Sequence, residues 1–315
     1  MPDVCQRGSG GPYDGVMRPP TGDQYTLRFG ESEAVITQVA AGIRVFRSGG
    51  VDVTEPFDIA SPTPSANGIV LVPWPNRVRD GSWMGEGERQ QLALTEPALR
   101  NASHGLLRFH PYTLVSVTSS SVCQSALIVP QTGYPFLLQT RVTHILDERG
   151  LTVVHTVINE GTTAAPVAIG AHPYLRIGDV PPDQLTLTVQ TLTRFETDER
   201  KNVTDEVPVA GTPYDLSRGV RVSDLVLDTG FSVPAAAEHV LSADDGRRVV
   251  LWTDASYEFV QLFTHRSFAG RTSGVPALAI EPMTAPGDAL NTGRGLTWLQ
   301  PDDVWTVRWG IRPEF

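Results

Sequence analysis

The segment LLQTRVTHIL-DERG-LTVVHTVIN, residues 137–159, decides the fold. Two runs of strand-forming residues flank Asp147-Glu148-Arg149-Gly150, and the glycine can supply the positive φ that a reversal of the chain needs. The segment reads as a β-hairpin. Short stretches of alternation recur in QYTLRFG, AVITQVAAGIRVFR, DQLTLTVQTL, RRVVLWT and YEFVQLFTH. The last is VWTVRWGI, where Trp305, Val307, Trp309 and Ile311 share one face. No stretch carries a helical stripe free of Gly and Pro, and no internal repeat is present. With 29 Gly and 25 Pro in 315 residues, long helices are disfavoured, because Pro removes a backbone donor and Gly is entropically costly to order. The expected fold class is all-β.

Composition narrows the function classes. The chain is 40% hydrophobic and 19% charged, enough to bury a sizeable core. Its net charge of −10, with no basic stripe interleaved with aromatics, argues against nucleic acid as a partner. Lys201 is the sole lysine among the 25 basic residues, a bias read as codon usage in a GC-rich genome. Cys5 and Cys123 form no CxxC pair and no zinc-finger cluster, so neither a disulfide framework nor a structural zinc site is expected. The N-terminal residues contain no apolar core of a signal peptide, and no uncharged apolar run reaches about 18 residues. A cytoplasmic protein without membrane association is the expectation. Residues 1–22 are Gly/Pro-rich and read as a flexible tail, and residues 23–315 as one domain.

The unusual residues lie in four loops. They are VPWPNRVRDG (72–81), NASHG (101–105), GAHPY (170–174) and EPMTAPGDALN (281–291). A β-scaffold carries its chemistry on loops, which makes these the place to look. Pro173 biases His172 toward extended backbone, and Glu281 follows the apolar run Ala277–Ile280, where partial desolvation raises a carboxyl toward useful base strength. An acid and a base are thus available. Asn76, Arg77, Arg79 and Asp80 are flanked by Trp74 and Trp83, and aromatic faces beside Arg and Asn suit a sugar. An Arg79–Asp80 ion pair bracing a surface loop is the competing reading.

Six motifs in order, NGIVLVPWPNRVRDGSW, NASHGL, GAHPYL, LVLDTGF, FVQLFT and EPMTAPGDALNTG, resemble the aldose 1-epimerase (galactose mutarotase) family from about residue 25 onward. The resemblance implies a large antiparallel β-sandwich of the galactose mutarotase type with the sugar in an open cleft. It implies Glu281 as general base and His172 as general acid. Arg77, His104 and Asp228 would bind substrate, with Asn76, Gln261 and Tyr174 joining them. Leu106, and Leu175-Arg176 after His-Pro-Tyr, depart from the family pattern and bear on which aldose is bound.

On this reading the protein interconverts α and β anomers of a free aldose by opening and closing the ring, as an isomerase needing no cofactor or metal. Its partner is a monosaccharide, and it acts as a monomer or homodimer. The alternatives are a hexose-6-phosphate 1-epimerase and a non-catalytic carbohydrate-binding protein. A His104/His172/Glu281 iron triad and a two-carboxylate glycosidase using Asp228 and Glu281 are further rivals.

Overall fold

In the computed structural model, which describes residues 18–85 and 87–315, the hairpin forms as two ten-residue strands, Leu138–Asp147 and Gly150–Asn159. Their antiparallel register runs unbroken from Leu138 opposite Asn159 to Asp147 opposite Gly150. The turn is therefore Glu148-Arg149 alone, tighter than the four-residue reading, and Gly150 adopts φ 107°. Alternation sends Leu138, Val142, Leu146, Val153 and Val157 inward, all fully or nearly fully buried.

The hairpin is part of a nine-stranded antiparallel sheet. Thr113–Val117 and Ser121–Ile128 extend it on one side; Val304–Glu314, Arg248–Thr253, Glu238–Ala243, Leu185–Thr188 and Val220–Arg221 extend it on the other. A second, eight-stranded sheet runs in the order Val203–Pro208, Thr193–Thr197, Asp228–Ser232, Phe259–His265, Ala277–Met283, Gly170–Ala171 and Val70–Leu71. Tyr174–Leu175 also pairs with Ala277–Met283. Gln24–Phe29, Ser32–Thr37, Ile43–Ser48 and Val51–Asp52 form a separate four-stranded meander.

One apolar cluster joins the two large sheets, drawing Val153, Val307 and Leu251 from one and Phe231, Val260, Leu262, Leu278 and Ile280 from the other. The sheets are antiparallel and sheet faces sheet: the all-β class that the alternation predicted, in the sandwich that the family resemblance implied. The only α-helix among the described residues is the four-residue Ala289–Thr292, and no described helix is long and apolar enough to cross a membrane. The expected tail falls mostly on residues 1–17, outside the described residues.

The period of two in the second sheet positions the site. Val260 and Leu262, with Leu278 and Ile280, enter the shared core, so Gln261, Phe263 and Glu281 must point to the opposite face. Asp228 is paired with Phe263 and lies on that same outer face.

Candidate active site

Glu281 does not end an apolar strand, as the sequence suggested; it lies within Ala277–Met283, whose seven residues are all buried. The loop segment 170–174 runs alongside. Gly170 pairs with Met283 and Tyr174 with Ala279, and that register carries His172 to the level of Glu281. Pro173 has no N–H for the ladder there, and the His172 backbone instead turns to Gly68 and Ile69, with which it exchanges bonds of 2.8 and 3.0 Å. The imidazole is left facing the carboxyl: His172 Nε2 lies 3.3 Å from Glu281 Oε1. The Tyr174 ring stacks on His172 at 5.2 Å, and His104 meets it edge-on at 5.5 Å.

A polar chain crosses the sheet from this pair. Gln261 stands directly opposite Glu281. Its Oε1 accepts from Asn76 Nδ2 at 3.2 Å, and its Nε2 donates to Asp228 Oδ1 at 2.9 Å. The other Asp228 oxygen, Oδ2, lies 3.3 Å from Lys201 Nζ.

The first two loops supply the near wall. Arg77–Arg79 pairs with Asn101–Ser103, and the His104 N–H donates to Asn76 O at 2.8 Å. Asn76 and His104 both hold positive φ, 55° and 62°, a conformation that costs a non-glycine residue about 1 kcal/mol or more and so must be enforced by its surroundings. Gly105 helps to enforce it. A Cβ there would stand 2.0 Å from Val72 O, so only glycine lets this loop approach. Arg77 donates Nε and Nη2 to the two oxygens of Glu96 at 2.7 and 3.0 Å, a bidentate clamp that fixes its guanidinium plane.

The structure places all eight expected site residues around one cavity or its immediate wall. Glu281, His172, Arg77, His104, Asp228, Asn76, Gln261 and Tyr174 all line a cleft of about 310 Å³. Three further residues were not foreseen: Glu96, which orients Arg77; Lys201, which holds Asp228; and Arg108, which lines the cleft with Nη1 on Ser103 Oγ at 2.9 Å. The aromatic platforms expected at Trp74 and Trp83 are absent from it. Both rings are 2% exposed and belong to the core, because the loop that carries Arg77 turns them inward. Arg79 and Asp80 brace loops: Arg79 Nη2 donates to Val203 O at 2.6 Å, and Asp80 pairs with Arg200 at 2.7 Å.

Burial dominates the electrostatics. Desolvation, reinforced by Asp228 and opposed by Arg77, holds the Glu281 carboxyl well above the ordinary carboxylate range. Desolvation also drives His172 down to about 3. Both shifts favour the neutral forms of the two groups. Burial likewise keeps His104 neutral, with His172 and Arg108 adding to the effect.

Four buried polar atoms around this cleft have no hydrogen-bond partner among the described residues: Glu281 Oε2, His172 Nδ1, His104 Nδ1 and Arg108 Nε. Native interiors seldom tolerate such a concentration, and a polyhydroxylated ligand would satisfy it. Among the described residues, no three His, Cys, Asp or Glu side chains converge as a metal site.

Comparison with known proteins bears on this geometry. Residues 23–312 match the family profile for aldose 1-epimerase. The chain is 27% identical over 281 residues to the YihR protein of Escherichia coli K12, across 89% of this chain and 90% of that one. Its fold is similar to that of a galactose mutarotase-like protein from Clostridium acetobutylicum, at TM-score 0.81 and 17% identity, covering 92% and 94% of the two chains. It is also similar to a GalM/aldose epimerase homologue from C. elegans, at TM-score 0.80 and 17% identity, covering 92% and 98%.

Proposed function

Because the chain belongs to the aldose 1-epimerase family, we propose that it interconverts the α and β anomers of a free aldose, with Glu281 as base and His172 as acid. The observation that carries the reading is the 3.3 Å contact between these two buried side chains on the floor of a polar cleft. Ring opening needs one proton removed from the anomeric hydroxyl and one delivered to the ring oxygen. Glu281 takes the first as His172 gives the second, and the C1–O5 bond breaks. After rotation about C1–C2 the carbonyl presents its other face. Glu281 then returns its proton to the carbonyl oxygen while His172 recovers one from the C5 hydroxyl, and the proton inventory closes on the two side chains.

The preference of both side chains for their neutral forms gives this cycle a physical basis. The bound ring form requires carboxylate and imidazolium, whereas the open-chain form requires carboxylic acid and imidazole. Burial favours the second pair. The electrostatic setting is therefore matched to the opened sugar, the species nearest the bond-breaking transition state. Arg77, which stabilises the Glu281 carboxylate, and the anomeric hydroxyl, which donates to it, bring the ring-bound state within reach.

The test is relaxation of pure α- and β-anomers followed by polarimetry. Two histidine variants should separate in kind. His172→Asn is expected to lower kcat by roughly 10²–10⁴-fold, as loss of a proton donor does. His104→Asn is expected mainly to raise KM, because a group that holds ground and transition states alike contributes uniform binding. The reverse pattern would exchange their roles.

A neutral sugar fits better than its 6-phosphate. A dianion needs several converging cations. Arg77 is held by Glu96, Arg79 is turned to Asp288 and Val203, and Arg176 is bound by Glu55 and Asp179, which leaves Arg108, bonded only to Ser103 Oγ, as a single cleft arginine without a carboxylate partner among the described residues. We expect kcat/KM for a free aldose to exceed that for its 6-phosphate at equal ionic strength. A phosphate preference lost on Arg79→Ala or Arg176→Ala would overturn that expectation.

A further inference from the structure

A buried cluster of three charges lies beside the loop that carries His172, and none of its members lines the cleft. At its centre is the Glu55 carboxyl, almost wholly buried and shared by two arginines. Arg271 directs Nε, at 2.8 Å, and Nη2 to Glu55 Oε1, and Arg176 Nη1 donates to Oε2 at 3.2 Å. Both arginine side chains are largely buried as well, at 13% and 14% exposure. Ion pairs so enclosed add little net stability over apolar packing, because desolvation offsets their attraction. We propose that Glu55 is a positioning residue for the proposed acid: through Arg271 and Arg176 it clamps the two segments that hold the plane of the His172 imidazole. The proposal rests on the anomerase reading of the cleft and deepens it.

His172 lacks the usual second tether. A catalytic imidazole is commonly oriented by a hydrogen bond on its other ring nitrogen, yet His172 Nδ1 has no partner among the described residues. Packing must set its plane instead. The Tyr174 ring stacks on it at an interplanar angle of 26°, and Tyr174 in turn packs against Phe268 at 4.6 Å. Phe268 belongs to residues 266–276, which connect Phe259–His265 to Ala277–Met283. The backbone hydrogen bonds within that connection are local turns: Arg271 N–H to Phe268 O, Gly274 N–H to Arg266 O and Val275 N–H to Thr272 O. Among the described residues, the side-chain bonds that tie it to other elements are Arg266 to Leu225 O, at 3.2 Å, and Arg271 to Glu55. Arg271 stands three residues from Phe268, so its bond to Glu55 fixes where Phe268 presses on Tyr174.

Glu55 also holds the acid's own loop. Its N–H donates to Tyr174 O at 2.9 Å, and its carbonyl accepts from Asn67 Nδ2 at 2.7 Å. The next residue along, Gly68, donates its N–H to His172 O at 2.8 Å. Arg176 closes the same loop, with its N–H on Val53 O at 2.9 Å. One carboxylate therefore grips both the loop that carries His172 and the segment that backs its stacking partner. Arg176, a departure from the family pattern, belongs to this clamp and not to the lining of the cleft. A misplacement of about 1 Å can cost a rate about 10²-fold while leaving binding groups where they were.

The experiment compares wild type with Arg271→Met, Arg271→Lys and Phe268→Leu. Each is read by kcat and KM for α-glucose and α-galactose. Each is also read by NMR of the histidine-labelled protein, in which the His172 ring signal, identified by its loss in His172→Asn, senses the ring current of Tyr174. Arg271→Met is expected to lower kcat roughly 10–100-fold, to leave KM within about two-fold and to shift the His172 signal. Arg271→Lys keeps a cation on Glu55 and should regain most of both. Phe268→Leu keeps apolar bulk but loses the flat ring, and should move both readouts in the same direction, so that the test does not depend on the folding of Arg271→Met. A folded Arg271→Met or Phe268→Leu protein with an unmoved His172 signal overturns the proposal. A moved signal with unchanged kcat, or a loss confined to KM, overturns it too. If wild type anomerises neither sugar while Arg271→Met moves the signal and Arg271→Lys restores it, the clamp stands and the anomerase reading fails.

Discussion

A Glu281→Gln protein is expected to fold and to lose roughly 10²–10⁴-fold in kcat, because the amide keeps the shape of the acid but cannot accept the anomeric proton. The same substitution is expected to stabilise the fold at neutral pH. Burial holds the Glu281 carboxyl well above its usual range, so above about pH 4.5 the unfolded chain releases a proton that the folded chain retains. A group with a raised folded value contributes stability at low pH that is lost as pH rises. Glutamine does not titrate and removes that loss. The measurements are anomer relaxation by polarimetry and guanidinium unfolding at pH 8 and pH 5. The variant should be inactive at both, and more stable than wild type at pH 8 with a smaller margin at pH 5. Near-wild-type turnover by a folded variant would remove Glu281 from the base role; a variant less stable than wild type at pH 8 would contradict the assigned burial effect. The pair of outcomes expresses one fact, that a carboxyl desolvated enough to act as a base is a liability to the fold that contains it.

Legibility followed the range of the interactions. The residue 137–159 hairpin was readable because its signal is local: alternation in both arms and a glycine at the reversal. The length of the turn was not, since two or four residues both suit Asp-Glu-Arg-Gly, and pairing of Asp147 with Gly150 decides it. The cleft residues were flagged by the family resemblance and by their Pro- and Gly-rich loops. Their orientation needed the sheet, because whether Glu281 faces core or cleft depends on Leu278 and Ile280 packing beneath it. Glu96, Arg108 and Lys201 carried no local signal. Lys201 lies 3.3 Å from Asp228 only because a loop edge folds over a strand 27 positions away, and a lone lysine in a chain of arginines reads as a compositional accident. Trp74 and Trp83 misled for the opposite reason. Their neighbours are polar, so sequence proximity suggested a shared surface, yet Trp83 takes an inward position of the alternating strand Ser82–Gly85 and both rings join the core.

The chain is also expected to lose stability steeply in mild acid. His144, His155 and His239 are each fully buried and face the interior from the nine-stranded sheet, where nothing in the proposed chemistry uses them. Desolvation lowers His144 and His155 to about 3 and His239 to about 4. A depressed folded value gives stability that is complete above the unfolded value of 6.5 and is lost as pH falls toward the folded one. Each imidazole removes up to about 1.4 kcal/mol per pH unit across that window. The catalytic pair nearly cancels: His172 acts in the same direction, while the proton retained on Glu281 acts in the other. With His104, which burial also holds well below its ordinary value, four uncompensated histidines leave a slope approaching about 5–6 kcal/mol per pH unit between roughly pH 6 and pH 4, against a typical total of about 5–15 kcal/mol. Guanidinium unfolding at pH 7, 6 and 5 should therefore show the midpoint collapsing well before the carboxylates titrate. His239 isolates the cause, because neither of its ring nitrogens has a hydrogen-bond partner among the described residues. His239→Leu is expected to raise stability at pH 7 by about 1–3 kcal/mol, by removing buried unsatisfied groups, and to flatten the acid slope by the share of one proton. A wild-type midpoint that stays level from pH 7 to pH 5, or a variant with an unchanged slope, would mean that these imidazoles find solvent or partners on protonation and that burial does not set their charge.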